Sequence, residues 1–145
     1  MRTSKVLLAL GFGMGLLLQA SVASAGDIDG KAWGVVEKLN NRLMKGEGTF
    51  DKWVGTLDRE MLRGTACANR AKLEARALKA IDKQYESLHS AVHKAREQLD
   101  KLADKGVPPT VIADAHNAIN TMWWLYWDAE HAFWTTWNGM FAGCP

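Results

Sequence analysis

The chain has 145 residues, with 18 Lys or Arg against 16 Asp or Glu, and only two cysteines. This length predicts one domain that can bury a hydrophobic core, and so small a basic excess argues against a nucleic-acid-binding module. The two cysteines, Cys67 and Cys144, exclude the Cys-x-x-Cys spacing that covalent haem attachment, thiol redox chemistry and many zinc sites use.

The N-terminus has the features of a cleaved signal peptide. Arg2 and Lys5 are basic, residues 6–18 are apolar, and residues 23–25 read Ala-Ser-Ala, a small-residue cleavage pattern. The apolar run is short and interrupted by glycine, so we expect no transmembrane span after cleavage. Residues 1–25 are therefore predicted to be removed, which leaves residues 26–145 as a single domain with 16 basic and 16 acidic side chains. We expect a neutral protein exported to the periplasm, with secretion as the alternative.

Two short helices are predicted at the start of this domain. Apolar residues follow helical spacing over residues 28–45 and again over residues 50–63. Gly46, Glu47 and Gly48 fall between the two segments, and two glycines so close together predict a turn. The sequence therefore indicates a helix, a turn and a second, shorter helix in the first part of the domain.

Two long helices are predicted to follow, over residues 66–105 and 110–141. The sequence Gly-Val-Pro-Pro-Thr between them predicts a turn, because proline cannot continue a helix. The first of the two carries a heptad stripe, which requires a long partner helix at a shallow angle; the stripe is Leu78, Ile81, Tyr85, Leu88, Val92, Ala95, Leu99 and Leu102. The expected fold is all-α, a four-helix bundle-like domain in which two short N-terminal helices pack on a long antiparallel helical hairpin.

The cysteines and the charges both support this hairpin. Cys67 and Cys144 lie at similar distances on either side of the turn, so folding brings them to the same end, where an oxidising compartment would join them. Such a disulfide would stabilise the fold by about 4 kcal/mol in the chain-entropy treatment. Residues 66–105 carry nine basic and six acidic side chains, whereas residues 106–145 carry three acidic and no basic ones. Opposite net charges favour docking of the two helices.

Tryptophan is concentrated in the last predicted helix, with five of the seven tryptophans within residues 119–141. Most fall on one broad helical face, which must be covered by another helix, a partner or a membrane surface because exposed indole rings are costly. Trp124 points to the polar side and is the residue expected to be an exposed anchor. The candidate partner-binding residues are Trp123, Trp124, Trp127, Trp134 and Trp137.

Three polar residues, Glu74, His116 and Glu130, are predicted on buried faces. Glu130 lies within the aromatic face, where it would either transfer a proton or contact a ligand, or accept hydrogen bonds from indole N–H groups or Tyr85. His116 would be either an axial ligand of a non-covalent haem or a hydrogen-bonded residue at the edge of the core. Glu74 extends the heptad stripe backwards and would need a partner such as an indole N–H.

His89 and His93 are the best candidates for a metal site. They are one helical turn apart, with Glu86 one turn before them and Glu97 one turn after. That spacing places imidazole and carboxylate groups on one side of a helix, where they can bind Zn²⁺ or Cu²⁺. The alternative is a solvated, histidine-rich flank beside the heptad stripe.

The sequence contains none of the usual catalytic motifs, such as G-x-S-x-G, H-E-x-x-H or a phosphate-binding glycine loop, and we expect a protein that is not an enzyme and needs no cofactor. The favoured hypothesis is a protein-binding or accessory component of a cell-envelope or secretion-type assembly, which binds an envelope protein or a second copy of itself. One alternative is a periplasmic metal- or haem-binding carrier or sensor that uses bundle histidines. Another is a membrane-surface protein, against which the lack of basic residues in the last helix argues.

Overall fold

The computed structural model describes residues 27–144, and those residues form three long helices. They are α1 (Asp27–Leu62), α2 (Arg70–Ala103) and α3 (Pro109–Met140). The described residues contain no strand, so the all-α prediction is confirmed. The predicted signal peptide lies outside the described residues. Within the described range, no helix carries an apolar stretch long enough to cross a membrane.

The prediction of four helices is wrong, because the segments predicted at residues 28–45 and 50–63 form the single helix α1. Residues 46–48, predicted as a turn, are helical. Gly46 is buried where α1 meets the other two helices, and a Cβ atom there would lie 2.8 Å from Leu88 and 3.3 Å from Tyr126. The glycine thus permits close approach and does not end the helix. Its lower helix propensity, about 1 kcal/mol relative to alanine, is outweighed by packing against two helices.

The three helices run alternately up, down and up, and short connections join them. Residues 63–69 connect α1 to α2, with Gly64 at φ +70° and the Thr65 hydroxyl donating a hydrogen bond to Glu60 Oε2 at 2.7 Å. Residues 104–108 connect α2 to α3, with Gly106 at φ +91°. Pro109 begins α3. At this position a backbone N–H group would make no intrahelical hydrogen bond, so proline, which lacks that group, is tolerated. Helices α2 and α3 therefore form the antiparallel hairpin that the proline-containing turn predicted.

The core consists of one apolar face from each helix, with Leu43, Ile81 and Tyr126 among its fully buried side chains. The heptad stripe predicted on α2 is only partly buried, because Leu78 is 41 % exposed. Leu73 and Ala77 are buried at that end of α2 instead. A straight α-helix has 3.6 residues per turn, so its buried face drifts away from a strict seven-residue repeat over several turns. This drift leaves Leu78 outside the core.

The predicted disulfide is confirmed. It joins Cys67, in the connection between α1 and α2, to Cys144, just beyond α3, with the two Cα atoms 5.5 Å apart. At the same end of the bundle, the Arg70 guanidinium carbon lies 5.0 Å from the centre of the Phe141 ring. The disulfide thus joins the start of α2 to the end of α3.

Helix α1 packs extensively against both α2 and α3, whereas α2 and α3 contact each other less. The seam between α2 and α3 is the place where large aromatic side chains from both helices meet. The tryptophan-rich cluster predicted from the sequence is therefore present, with Trp123 and Trp127 at this seam and with Trp134 and Trp137 packed around Phe133 farther along the same helix.

Candidate functional site

Four rings between α2 and α3 form what we call the aromatic seam, which consists of Tyr85, His89, Trp123 and Trp127. The Tyr85 ring lies with its centre 5.6 Å from those of both Trp123 and Trp127. The His89 ring is 5.8 Å from Tyr85 and 6.2 Å from Trp123. These separations are in the range where aromatic rings attract each other in tilted or edge-to-face arrangements. The seam is therefore one continuous ring cluster shared by two helices.

The sequence produces this seam by repeating one spacing on both helices. Tyr85 and His89 are four residues apart on α2, and Trp123 and Trp127 are four residues apart on α3, so each pair occupies one helical face. The antiparallel hairpin places the two pairs opposite each other. The backbones of α2 and α3 contact each other less than either contacts α1, as expected where bulky rings lie between two helices.

The five candidate partner-binding tryptophans differ widely in exposure. Trp124 is 69 % exposed and Trp127 is 44 % exposed, whereas Trp137 is fully buried. Trp123 and Trp134 are half-buried and pack against the core. Contiguous exposed apolar patches, unlike scattered single residues, often mark interaction sites, and Trp124 and Trp127 are neighbours one turn apart on α3. The structure thus separates core tryptophans from Trp124 and Trp127, which present an apolar surface to the outside.

Beside the seam, one residue from each helix meets at what we call the three-helix junction, which consists of Gly46, Gln84 and Tyr126. The Gln84 side-chain N–H₂ group donates one hydrogen bond to the Gly46 carbonyl oxygen at 2.6 Å and another to the Tyr126 hydroxyl oxygen at 3.1 Å. Because Gly46 has no side chain, the Gln84 amide can reach the α1 backbone. A single side chain therefore connects all three helices.

Two carboxyl groups with perturbed acidity lie near this junction. Burial, and to a smaller extent the neighbouring Asp51 carboxylate, raise the pKa of Glu47 to about 7. Burial also raises the pKa of Glu130, with a hydrogen bond from Trp134 acting in the opposite direction and Asp82 adding to the rise. Burial raises the pKa of Tyr126 to about 12, opposed by the Gln84 hydrogen bond and assisted by Glu130 and Glu47 among other groups. These carboxyl groups can hold a proton closer to neutral pH than ordinary carboxyl groups do.

The acidity of Glu47 predicts a pH dependence of stability. Its pKa is higher in the folded protein, at about 7, than its ordinary value of 4.5, so the folded state binds this proton more tightly than the unfolded chain. The free energy of unfolding should therefore fall as the pH rises from about 5 to about 7 and level off above it. Because the side chain is only partly buried, solvent screening reduces the effect to on the order of 1 kcal/mol.

Urea unfolding at pH 5 and at pH 8 measures this effect. The Glu47→Gln variant should lose part of the pH dependence and be more stable than the wild-type protein at pH 8. Glu37→Gln, on an exposed position of the same helix, is the control and should keep the wild-type profile. Equal profiles for Glu47→Gln and the wild-type protein would contradict the assignment.

The three polar residues predicted on buried faces are half-buried, and each has a partner. His116 Nε2 lies 3.2 Å from Asp100 Oδ1, which links α3 to α2 near the hairpin turn. Glu74 lies 3.9 Å from the Arg70 guanidinium one turn earlier, not beside an indole. Glu130 lies near the Trp134 indole, whose N–H group acts to lower the pKa of the carboxyl group. His116 is thus engaged in a contact between α2 and α3.

The candidate metal ligands lie at the end of the aromatic seam nearer the hairpin turn. His89 Nε2 and His93 Nε2 are 3.3 Å apart, and both residues are exposed, as are Glu86 and Glu97. Among the residues described, no group of three or more His, Cys, Asp or Glu side chains is arranged to hold a metal ion. The two histidines therefore form a close pair, with one ring nitrogen able to donate a hydrogen bond to the other.

Sequence reasoning missed the three-helix junction and Glu47. Gly46 was interpreted as a turn residue, although it continues the spacing of the buried apolar residues Leu39, Leu43 and Phe50 on α1. That uninterrupted spacing was the available signal for a long helix with a close contact at the glycine. Gln84 carried no comparable signal, since a glutamine beside a heptad stripe usually faces solvent.

Comparisons with protein-family models, with curated proteins and with solved structures find no match for this chain.

Proposed function

We propose that this protein is an exported, non-enzymatic component of a cell-envelope or secretion-type assembly, and that it binds a protein partner through the aromatic seam and the neighbouring Trp124. The observation that carries this proposal is the pair of exposed indoles, with Trp124 69 % exposed and Trp127 44 % exposed. Tryptophan is over-represented among the residues that dominate binding energy at protein interfaces. The periplasm is the proposed compartment, supported by the predicted signal peptide and by the disulfide, which persists in oxidising compartments.

The seam is suited to a partner because its rings are fixed before binding. Tyr85 holds Trp127 in an edge-to-face contact with the ring centres 5.6 Å apart, and Trp123 is stacked on the buried Tyr126 at 5.5 Å. An anchor that is already ordered loses little conformational entropy when it becomes covered. The occupant is an envelope protein or a second copy of this chain.

Site-specific photo-crosslinking in cells that export the protein tests the proposal. A photoreactive residue at Trp124 or Trp127 should give one discrete adduct, whereas the same residue at Thr136, an exposed position on the same helix, should give none. An adduct of twice the protein's own mass would identify self-association. Adducts of the same pattern from all three positions, or none from Trp124 and Trp127, would contradict a binding role for this surface.

A double substitution measures the contribution of the two indoles. Trp124→Ala with Trp127→Ala should weaken binding of the crosslinked partner by at least tenfold, because hot-spot aromatic residues typically contribute about 2 kcal/mol or more each. Isothermal titration calorimetry with the purified partner measures the change. Leu62→Ala removes another exposed apolar side chain, 89 % exposed at the end of α1, and should leave the affinity unchanged. Equal affinities of the double variant and the wild-type protein would contradict the proposal.

A periplasmic metal- or haem-binding carrier or sensor is the second candidate function. The specific observation that favours it is the His89–His93 pair, whose Nε2 atoms are 3.3 Å apart. Two imidazoles one turn apart can chelate Zn²⁺ or Cu²⁺, and a partner or a second copy would have to supply further ligands. Metal analysis and the absorption spectrum of the exported protein distinguish the candidates, since bound metal that disappears in His93→Ala, or a haem spectrum that disappears in His116→Ala, would favour this alternative.

A further inference from the structure

The groove between α1 and α2 is lined by cations on both sides, and we call it the basic groove. Three cavities of about 430, 130 and 590 Å³ follow one another along it. The first and second share the lining residues Val35, Lys38 and Gln98, and the second and third share Arg42. The three cavities are therefore parts of one continuous groove.

Four cations on each side form the two rims of this groove. The α1 rim consists of Lys31, Lys38, Arg42 and Lys45. The α2 rim consists of Lys83, Lys94 and Lys101 on α2 and of Lys105, two residues beyond its end. All eight side chains are exposed, and no acidic residue lines any of the three cavities.

In the described part of the chain, no acidic side chain lies within 4.0 Å of the charged group of a rim cation. The salt bridges found in the part of the chain that the structure describes join Arg63 to Glu60, Arg70 to Glu74 and His116 to Asp100. None of these involves a rim residue, so like charges face each other across the groove. Such an arrangement repels itself and is relieved by an anionic ligand. The predicted exported part, residues 26–145, has equal numbers of acidic and basic residues. The cations that line the groove are therefore a local excess of positive charge in a neutral protein.

The floor of the groove is apolar and made largely of small residues. Gly34, Ala91 and Ala95 line it together with Val35 and Leu102, which are half-buried. Small side chains let another backbone approach closely, and apolar ones stabilise an apolar contact. The uncharged polar lining residues are Gln84, Ser87 and Gln98. A floor of this composition offers few hydrogen-bonding groups to sugar hydroxyls or nucleic-acid bases.

We propose that the basic groove binds an amphipathic helix of a protein partner that carries apolar residues on one face and acidic residues along both edges of that face. A groove between two packed helices can accept a third helix at the usual interaxial distance of about 8–10 Å. The acidic edges of the helix pair with the two rims, in the way that flanking charges select partners in coiled coils. On α2 the rim extends from Lys83 to Lys101, about 27 Å of helix, which a partner helix of about 18–20 residues matches.

This proposal does not rest on the proposed function of the aromatic seam. The basic groove lies between α1 and α2, whereas the seam lies between α2 and α3, and the two share no residue. Docking of an acidic helix in the groove would complete a four-helix arrangement and leave Trp124 free for its own partner.

Fluorescence anisotropy with labelled synthetic peptides tests the proposal on the oxidised protein. The first probe is a 21-residue peptide with Leu and Ala on one face and Glu along both edges of that face. A shuffled peptide of the same composition, in which Glu is spread around the helix, is the control for charge alone. At 150 mM salt we expect the amphipathic peptide to bind at least tenfold more tightly than the shuffled one and to lose affinity as salt is raised.

Matched charge-reversal variants locate the binding site. Replacing three rim lysines, Lys38→Glu, Lys94→Glu and Lys101→Glu, should weaken peptide binding by at least tenfold. Replacing three exposed lysines outside the groove, Lys52→Glu, Lys72→Glu and Lys79→Glu, changes the net charge equally and should alter the affinity by less than twofold. Circular dichroism melting of both variants verifies that they fold.

Three results would overturn the proposal. Equal binding of the amphipathic and shuffled peptides would mean that charge alone is recognised, and equal losses in both triple variants would place the site elsewhere. Tighter binding to phosphatidylglycerol vesicles or to polyphosphate than to the amphipathic peptide, lost in the rim variant, would assign the groove to a lipid headgroup or a linear polyanion instead.

Discussion

Reduction of the Cys67–Cys144 disulfide is expected to lower the free energy of unfolding by about 4 kcal/mol. The bond closes a loop with a sequence separation of 77 residues, and in the chain-entropy treatment a loop of that size restricts the unfolded chain by about this amount. For a domain of this length, the loss corresponds to a decrease in melting temperature of about 15 °C.

Thermal unfolding with and without reductant measures the effect of the disulfide. The double variant Cys67→Ser with Cys144→Ser should melt at the temperature of the reduced wild-type protein and should not respond to reductant. The serine side chains themselves should change the melting temperature little, because Cys67 is exposed and Cys144 is only partly buried. A wild-type melting temperature that changes by less than 2 °C on reduction would show that the bond contributes little to stability.

Substitution of Gly46 by leucine is expected to destabilise the protein by about 3 kcal/mol or more. Even a Cβ atom at this position would lie 2.8 Å from Gln84 Nε2 and 2.8 Å from Leu88 Cδ1, and a leucine adds three further carbon atoms. Leu88 is buried, and the Gln84 amide is held by hydrogen bonds to both Gly46 and Tyr126, so neither neighbour is free to move aside. Overpacking of a well-packed core typically costs about 1–3 kcal/mol, and here the interhelical hydrogen bonds are lost in addition.

Gly48 supplies the matched control for this experiment. It is exposed on the same helix, and a Cβ atom there would meet nothing within 4 Å. Gly48→Ala should therefore stabilise α1 by up to about 1 kcal/mol through helix propensity alone, whereas Gly46→Ala should not. Chemical denaturation of the variants measures the difference. If Gly46→Ala and Gly48→Ala stabilised the protein equally, close approach of the helices at Gly46 would be of no consequence.

The fold was predictable from the sequence where local rules and long-range pattern agree. The prolines at 108 and 109 exclude a continuous helix regardless of tertiary context, and Pro109 begins α3, so the hairpin turn was predicted within a few residues. Cys67 and Cys144 followed from that turn, because the antiparallel hairpin leaves only one end at which they can meet. The aromatic cluster followed from the helical spacing of the tryptophans.

Prediction failed where tertiary packing outweighs a local preference. At Gly46 a residue with poor helix propensity lies inside a 36-residue helix, and only the presence of Leu88 and Tyr126 explains it. Glu47 acquires its perturbed acidity from burial and from Asp51, neither of which a turn at residues 46–48 would have implied. The basic groove depends on which faces of α1 and α2 adjoin. The sequence analysis predicted two short helices in place of α1, so it did not predict this contact.

The disulfide closes residues 67–144 into a covalent ring, and α1 lies outside this ring. The ring contains the whole of α2 and α3, whereas α1 precedes Cys67 and is joined to the ring at a single point. Even when the protein is denatured, the ends of α2 and α3 near the bond stay neighbours, so the hairpin retains part of its native topology. In the oxidised protein, therefore, α2 and α3 refold within one covalent loop, whereas α1 must dock from outside it.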